Sequence, residues 1–471
     1  MSLFMTLADA ARLLPGAHLV GDSTAGIARV HTDTRTIEPG DLFIALKGER
    51  FDANAMLHEA QSQGAAAVLC HAGLPASAYP VGLPRLEVSD TKQALGALAA
   101  AWRAQFQIPL IAVTGSNGKT TVTQMVASIL HAYAPDGAAL ATVGNFNNDI
   151  GVPLTLMRLR SAHRIAVVEL GMNHPGEIAG LAAMARPTVA LVNNAQREHL
   201  EFMHTIEAVA RENGSVLSAL PADGVAVFPA DDEFAALWRG LAAGRSITGF
   251  SAASTGAEVV LQHANWQDGA WQVKAHSPQG MLQFRLAIAG RHNVKNSLAA
   301  AACALSAGVP VASVQQGLEA FLPVKGRCRA LQVRHGASDF TLVDDTYNAN
   351  PDSMRAAIDV LADLPGPRLL VIGDMGEVGE QGPAFHAEAG RYARAAGIEH
   401  VLALGEASAF AVQELPTARH FATVEGLLQA AHALVPDVAS VLVKGSRFMR
   451  MERVVEALSA PSAPEVVSDA A

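Results

Sequence analysis

Short runs of β-branched and aliphatic residues alternate along this chain with longer stretches in which apolar positions recur every three or four residues. That rhythm belongs to strands buried on both faces and to the helices that cover them. Up to about Phe106 the pattern predicts a short helix, several short strands with turns at Thr34-Arg35-Thr36 and Glu38-Pro39-Gly40-Asp41, a strand over 42–46, a helix over 53–63 and a strand over 67–69. A helix with Leu95, Leu98, Ala99 and Trp102 on one face closes this unit near Pro109. Strands over 165–170, 188–192 and 225–228 then alternate with helical stretches, the sign of a parallel sheet. Between 255 and 286 the strands turn polar and meander, and a helix follows His292. After Pro323-Val324-Lys325-Gly326, a candidate hinge, buried strands are expected over 340–343, 368–372, 400–404 and 440–443. The expected fold class is α/β in three domains: a small α/β N-terminal domain over 1–107, a central parallel-sheet domain over 108–324 and a C-terminal Rossmann-like domain over 325–471. The tail from 459 onward is expected to fray.

Length and composition fit this plan. The chain has 471 residues, half of them hydrophobic, which is ample for several cores. A formal net charge of −10 disfavours a nucleic-acid surface, so any anionic ligand must be bound locally. Cys70, Cys303 and Cys328 lie far apart without metal-ligand spacing, and the N-terminus lacks a basic region followed by an apolar core. The alanine-rich run over 297–314 is broken by Gly308 and Pro310 and reads as a buried helix and its stop, not a membrane span. A cytoplasmic monomer is expected, with no nucleic-acid partner and no membrane insertion.

The most informative segment follows Pro109, where Leu-Ile-Ala-Val breaks into Thr-Gly-Ser-Asn-Gly-Lys-Thr-Thr. It reads as a strand, a phosphate loop and a helix start. Gly115 and Gly118 let successive N–H groups face inward across Ser116 and Asn117, Lys119 supplies a point charge, and Thr120, followed by Thr121, offers a hydroxyl to magnesium. The general pattern GxxxxGK[ST] requires glycine where this chain has Val113, so the loop is shorter than that of ordinary GTPases and ATPases. A Gly-Ser-Asn-Gly turn can be purely structural, but the Lys-Thr-Thr after it is then unexplained. The expected ligand is a nucleoside triphosphate, which makes the central domain an ATPase-like, phosphate-loop domain.

Four further polar positions bear on the chemistry. Glu169 ends an apolar strand, where a carboxylate can reach magnesium directly or through water; capping a helix is the alternative. His199 follows the 188–192 strand and falls on the carboxyl edge of the sheet, where it could hold a second metal or simply form hydrogen bonds. Asn293 and Asn296 stand one helical turn apart and can face one ligand, unless they only cap the helix. The run Asp344-Asp345-Thr346-Tyr347-Asn348-Ala349-Asn350 puts a burst of polar groups at a sheet edge, with Asp345 a candidate acceptor for ribose hydroxyls.

Together these motifs resemble the Mur ligases, and within that family the branch that adds D-alanyl-D-alanine. TGSNGKTTV is similar to the family's shortened phosphate loop, VVELGMN and REHLEF carry its metal-binding Glu and His, and GNFNNDIGVPLT resembles its substrate-side loop. GRHNVKNSLAA, the Arg327 of KGRCRA, DDTYNANPDSM and VIGDMGEVG follow in family order, while TDTRTIEPGDLFIALKG resembles the loop that cradles a UDP-sugar. The resemblance implies ATP as co-substrate, bound by 115–121, Asn293, Asn296, Arg327 and Asp345, and Mg2+ on Thr120, Glu169 and His199. It implies substrate contacts from Thr34, Arg35, Lys47, Gly48, Asn145, Asn147, Asn148, Tyr347, Asn348 and Asn350, with Lys119, Glu169, His199 and Arg327 catalytic. The reaction implied joins D-alanyl-D-alanine to UDP-N-acetylmuramoyl-tripeptide through an acyl phosphate; the alternative is the relative that adds the third amino acid, although its DNPR motif does not occur here. The family's lysine fourteen positions after the metal-binding His is Asn213 in this chain, and Phe51-Asp-Ala-Asn replaces its more usual Asp-Gly-His. Asn cannot be carbamylated, so Asn213 is expected to order a metal-bound water instead.

Overall fold

The computed structural model describes residues 3–49, 51–253, 256–335 and 338–460; the expected frayed tail beyond 460 lies outside them. Its main organising unit is a nine-stranded sheet in the centre of the chain. Strand Leu110–Thr114 lies inside it, hydrogen-bonded in parallel to Ile165–Glu169 on one side and Val189–Val192 on the other. The chain therefore reverses its direction of travel across the sheet at this strand, which opens a crevice at the strands' carboxyl ends. Alternation explains the continuous apolar run: Leu110 and Ala112 enter one core with Leu95 and Leu98, and Ile111 and Val113 enter another with Val122, Met125 and Leu298. The polar meander becomes the antiparallel strands Val259–Gln267, Ala270–Ser277 and Gly280–Leu286, added to the far edge of the same sheet.

Before this sheet stands a five-stranded one whose strands Arg29–His31, Asp41–Ile44, Ala67–His71 and Arg85–Val88 run parallel. The helix Thr91–Arg103 joins its core to that of the central sheet. Buried Arg103 donates to the carbonyls of Phe106, Ile108, Ala185 and Arg186, fastening the linker without any carboxylate. The expected helix over 53–63 is instead a 3-10 turn, Ala53–Met56, and a short helix, Leu57–Ser62; the Asp52 side chain accepts from Asn54 N–H and starts the tighter turn.

After the central sheet comes a six-stranded sheet, parallel except for Arg329–His335 paired antiparallel with Ser338–Asp345. The expected hinge residue Gly326 is held at both ends, its N–H on Asp344 and its C=O accepting from Tyr347 N–H. No helix among the described residues is long and apolar enough to cross a membrane.

Candidate active site

The phosphate loop leaves strand Leu110–Thr114 and enters helix Lys119–Tyr133. Gly115 (φ +129°) and Gly118 (φ +80°) adopt backbone conformations that disfavour side chains. A Cβ on Gly118 would also lie 2.8 Å from both Asn193 Nδ2 and Asn296 Oδ1. Lys119 folds over the loop, its Nζ donating to the carbonyls of Gly115 (2.6 Å) and Ser116 (3.0 Å) and to Glu198 (2.7 Å). Below, the Asn213 Oδ1 accepts from Thr114 Oγ1 at 2.7 Å and Gly115 N at 3.1 Å.

That last contact narrows what Asn213 can offer a ligand. Its oxygen is committed to the floor of the loop, and what stays unpartnered in the interior is Nδ2, a donor that cannot ligate a cation. Asn213 thus supports the loop through its oxygen, and its Nδ2 is the group that remains to order a water.

Around the loop, one cavity of about 730 Å³ gathers residues 116–121, Asn145, Asn147, Asn148, Glu169, His199, Asn293, Asn296, Arg327, Asp345, Tyr347, Asn348 and Asn350. It spans the carboxyl ends of the central and third sheets. Glu169 Oε1 accepts from Thr120 Oγ1 (3.2 Å) and Asn147 Nδ2 (2.8 Å), whereas its buried Oε2 has no partner. Thr120 also accepts from Arg327 Nη2 at 3.0 Å, and the Arg327 guanidinium lies 3.8 Å over the Tyr347 ring. The Asn148 side chain accepts from Gly151 N–H at 2.9 Å, just ahead of helix Gly151–Leu156.

Asn293 and Asn296 do face one another, Asn296 Nδ2 donating to Asn293 Oδ1, and the chain continues through Asn193 to the Asn117 carbonyl. Asp345 departs from the expectation of a free acceptor. One oxygen takes the Lys444 ammonium at 2.6 Å and the other the Cys328 N–H at 3.2 Å, because Asp345 and Lys444 end adjacent parallel strands in register. Burial alone would raise the Asp345 carboxyl, but the Lys444 charge pulls it below its ordinary value.

His199 has φ +51° and meets Glu377, φ +58°, with 2.6 Å between Nδ1 and Oε2. Two non-glycine residues in the left-handed region cost about 1–3 kcal/mol each and need local support. The His199 ring against it, working against burial, holds the Glu377 carboxyl below its usual range. The loop presenting Glu377 is anchored by Asp374 on Ser408 N–H, Met375 N–H on His386 and Gly376 N–H on Ser446.

Glu198, Glu377 and Lys444 were not among the expected site residues. Glu198 and Glu377 sit inside the quoted REHLEF and GDMGEVG motifs, and Lys444 ends an apolar strand; those positions were the available signals.

Thr34, Arg35, Lys47 and Gly48 do not line this cavity. They belong to the connections of the N-terminal sheet, Thr34 and Arg35 in the 3-10 turn Thr34–Thr36, where Arg35 pairs with Asp33 at 2.6 Å, while Gly48 N–H donates to the Phe51 carbonyl. Asn54, at the variant Asp-Ala-Asn segment, is buried with its amide committed to Asp52, the Ala45 carbonyl and His71 N–H, so it faces no ligand.

No group of three or more His, Cys, Asp or Glu suited to hold a metal ion occurs among the described residues. The unpartnered Glu169 Oε2 beside the Thr120 hydroxyl nevertheless fits Mg2+, which is usually held by one or two protein oxygens with phosphates and water completing its shell.

Family models match in three consecutive stretches: "Mur ligase family, catalytic domain" over 26–103, "Mur ligase middle domain" over 113–304 and "Mur ligase, glutamate ligase domain" over 327–447. The UDP-N-acetylmuramoyl-tripeptide–D-alanyl-D-alanine ligase of Escherichia coli (strain K12) is 40% identical over 456 residues, covering 96% of this chain and 98% of that protein. The chain belongs to the Mur ligase family. Among solved Mur ligases, MurF from Acinetobacter baumannii superposes with a TM-score of 0.89 at 34% identity, covering 98% of this chain and all of that one. MurF from Thermotoga maritima, crystallised with ADP, gives 0.79 at 25% identity over 92% of this chain and 97% of that one.

Proposed function

We propose that this Mur ligase joins D-alanyl-D-alanine to UDP-N-acetylmuramoyl-tripeptide at the expense of ATP, releasing ADP and phosphate and giving the pentapeptide precursor of peptidoglycan. It is an ATP-dependent ligase that forms a peptide bond. One observation carries the reading: a phosphate loop, the Asn145–Asn148 segment and the Asp345–Asn350 edge converge from two domains on a single cavity, in a chain 40% identical to a relative of that name.

A carboxylate at neutral pH is a poor electrophile, so the acceptor peptide must first be phosphorylated. In this reading the loop N–H groups and Lys119 hold the β- and γ-phosphates, and Arg327 helps hold ATP over the loop. Thr120 and Glu169 would hold Mg2+, with His199 a ligand of a second ion, and the cations offset charge on the phosphates. Asp345, Asn293 and Asn296 stand where ribose and base would lie; since Asp345 already binds Lys444, a ribose hydroxyl would share its oxygens. Asn145, Asn147 and Asn148 flank the acceptor, and Tyr347, Asn348 and Asn350 the side from which the dipeptide enters. The incoming amine attacks the acyl phosphate, the tetrahedral adduct collapses and phosphate leaves, so no protein nucleophile is needed.

Thr34, Arg35, Lys47 and Gly48 are assigned to the UDP-sugar, with domain boundaries at 107/108 and 324/325. A cytoplasmic location suits a substrate that is a soluble nucleotide-sugar, and the protein is assigned as a monomer.

Mass spectrometry of the UDP-sugar product tests the choice of substrate. Incubation with ATP, UDP-muramoyl-tripeptide and D-alanyl-D-alanine should add one dipeptide. Growth of UDP-muramoyl-dipeptide by a diamino acid would instead assign the chain to the preceding step.

A further inference from the structure

Four consecutive residues, Gln196 to Glu198 and His199, alternate in what they face. Gln196 accepts from Asn117 Nδ2 at 2.6 Å and its N–H donates to Ser116 Oγ, while Glu198 takes Lys119; both therefore grip the phosphate loop. The residues between and after them face the third domain. The Arg197 guanidinium donates to Asp352 Oδ1 (2.7 Å) and to both Glu388 oxygens (2.8 and 3.0 Å), and its backbone N–H reaches Asp352 Oδ2 (2.8 Å). The Phe385 ring lies 5.3 Å from the same cation. His199 meets Glu377, also of the third domain.

One cation held by two carboxylates, in a planar fork, is a geometry lysine cannot reproduce. Asp352 stands in the first turn of helix Pro351–Ala362, and the cap of that helix, Asn350, donates to Asn117 Oδ1 at 2.9 Å. The helix start is thus tied to the phosphate loop directly and, through Arg197, to the segment that carries Glu198 and His199.

We propose that Arg197 is a positioning residue for the ligation: by clasping Asp352 and Glu388 it holds Glu198 and His199 in register with the phosphate loop only when the third domain is docked. Arg197 itself stands behind the cavity wall and touches no reacting group. Its effect on turnover rests on the function proposed above; its effect on docking does not.

The test uses the full chain with dyes at Glu207→Cys and Glu425→Cys, both exposed, the native cysteines being buried. Single-molecule energy transfer reports docking, ligation kinetics report the site, and thermal unfolding checks that each variant folds. Arg197→Ala should broaden the interdomain distance and lower kcat by about tenfold or more, with the KM for UDP-muramoyl-tripeptide changed by less than about threefold. Arg197→Lys should fall between, and Glu388→Gln should shift both readouts in the same direction; if Arg197→Ala does not fold, Glu388→Gln carries the test. An unchanged distance distribution in these variants, with or without a loss of kcat, overturns the proposal. A parent protein that docks but does not ligate would refute the proposed function and leave the docking readout decisive for the clasp.

Discussion

Lys119 and Glu198 form an ion pair of 2.7 Å with both side chains largely buried, and the second Glu198 oxygen has no partner. The ammonium is therefore fixed beside the loop by one carboxylate and two carbonyls, within reach of any phosphate cradled there. A preorganised cation of this kind is worth about 3–4 kcal/mol to a transition state that gathers negative charge. Lys119→Ala should lower kcat by about a few hundredfold while the unfolding midpoint moves little. Steady-state phosphate release checks this, and retention of more than about a tenth of the parent rate would contradict it.

Asn213 leads to a second prediction. Substituting alanine strands the Thr114 hydroxyl and the Gly115 N–H in the interior, a cost of about 1–3 kcal/mol, and releases the loop from its floor. Asn213→Ala should weaken ATP binding as well as stability, read by calorimetry and denaturant unfolding. The parent enzyme, lacking a lysine there, should gain no activity when bicarbonate is returned to a preparation depleted of carbon dioxide.

The Asp345–Lys444 pair sets an acid limit on the third domain. Because the native Asp345 carboxyl is depressed below its unfolded value, the pair contributes fully above about pH 4 and is lost as pH falls through the lower native value. Asp345→Asn should flatten that acid limb and, by leaving the Lys444 ammonium buried without its counter-ion, cost about 3–5 kcal/mol near neutrality. Denaturant unfolding as a function of pH reads both effects.

Local periodicity carried much of the architecture because strands buried on both faces announce themselves as unbroken apolar runs, as at Leu110–Thr114. It stopped short at polar ends. Lys444 completes its strand only because Asp345 stands opposite it on the neighbouring strand, a pairing between residues 99 positions apart. The same limit hid Arg197 and Glu377, whose partners come from another domain, and the support that the Asn213 oxygen gives the loop. That the phosphate loop, Glu169 and His199 share one cavity was legible because each stands at or after the end of a buried strand.

Labelling the terminal carboxylate of the tripeptide with 18O follows the oxygen through the reaction. If this carboxylate is phosphorylated before the amine attacks, each peptide bond formed in the presence of ATP and D-alanyl-D-alanine should deliver one 18O atom to the released phosphate. Phosphate free of label, alongside normal formation of the pentapeptide, would contradict activation of the acceptor at the phosphate loop.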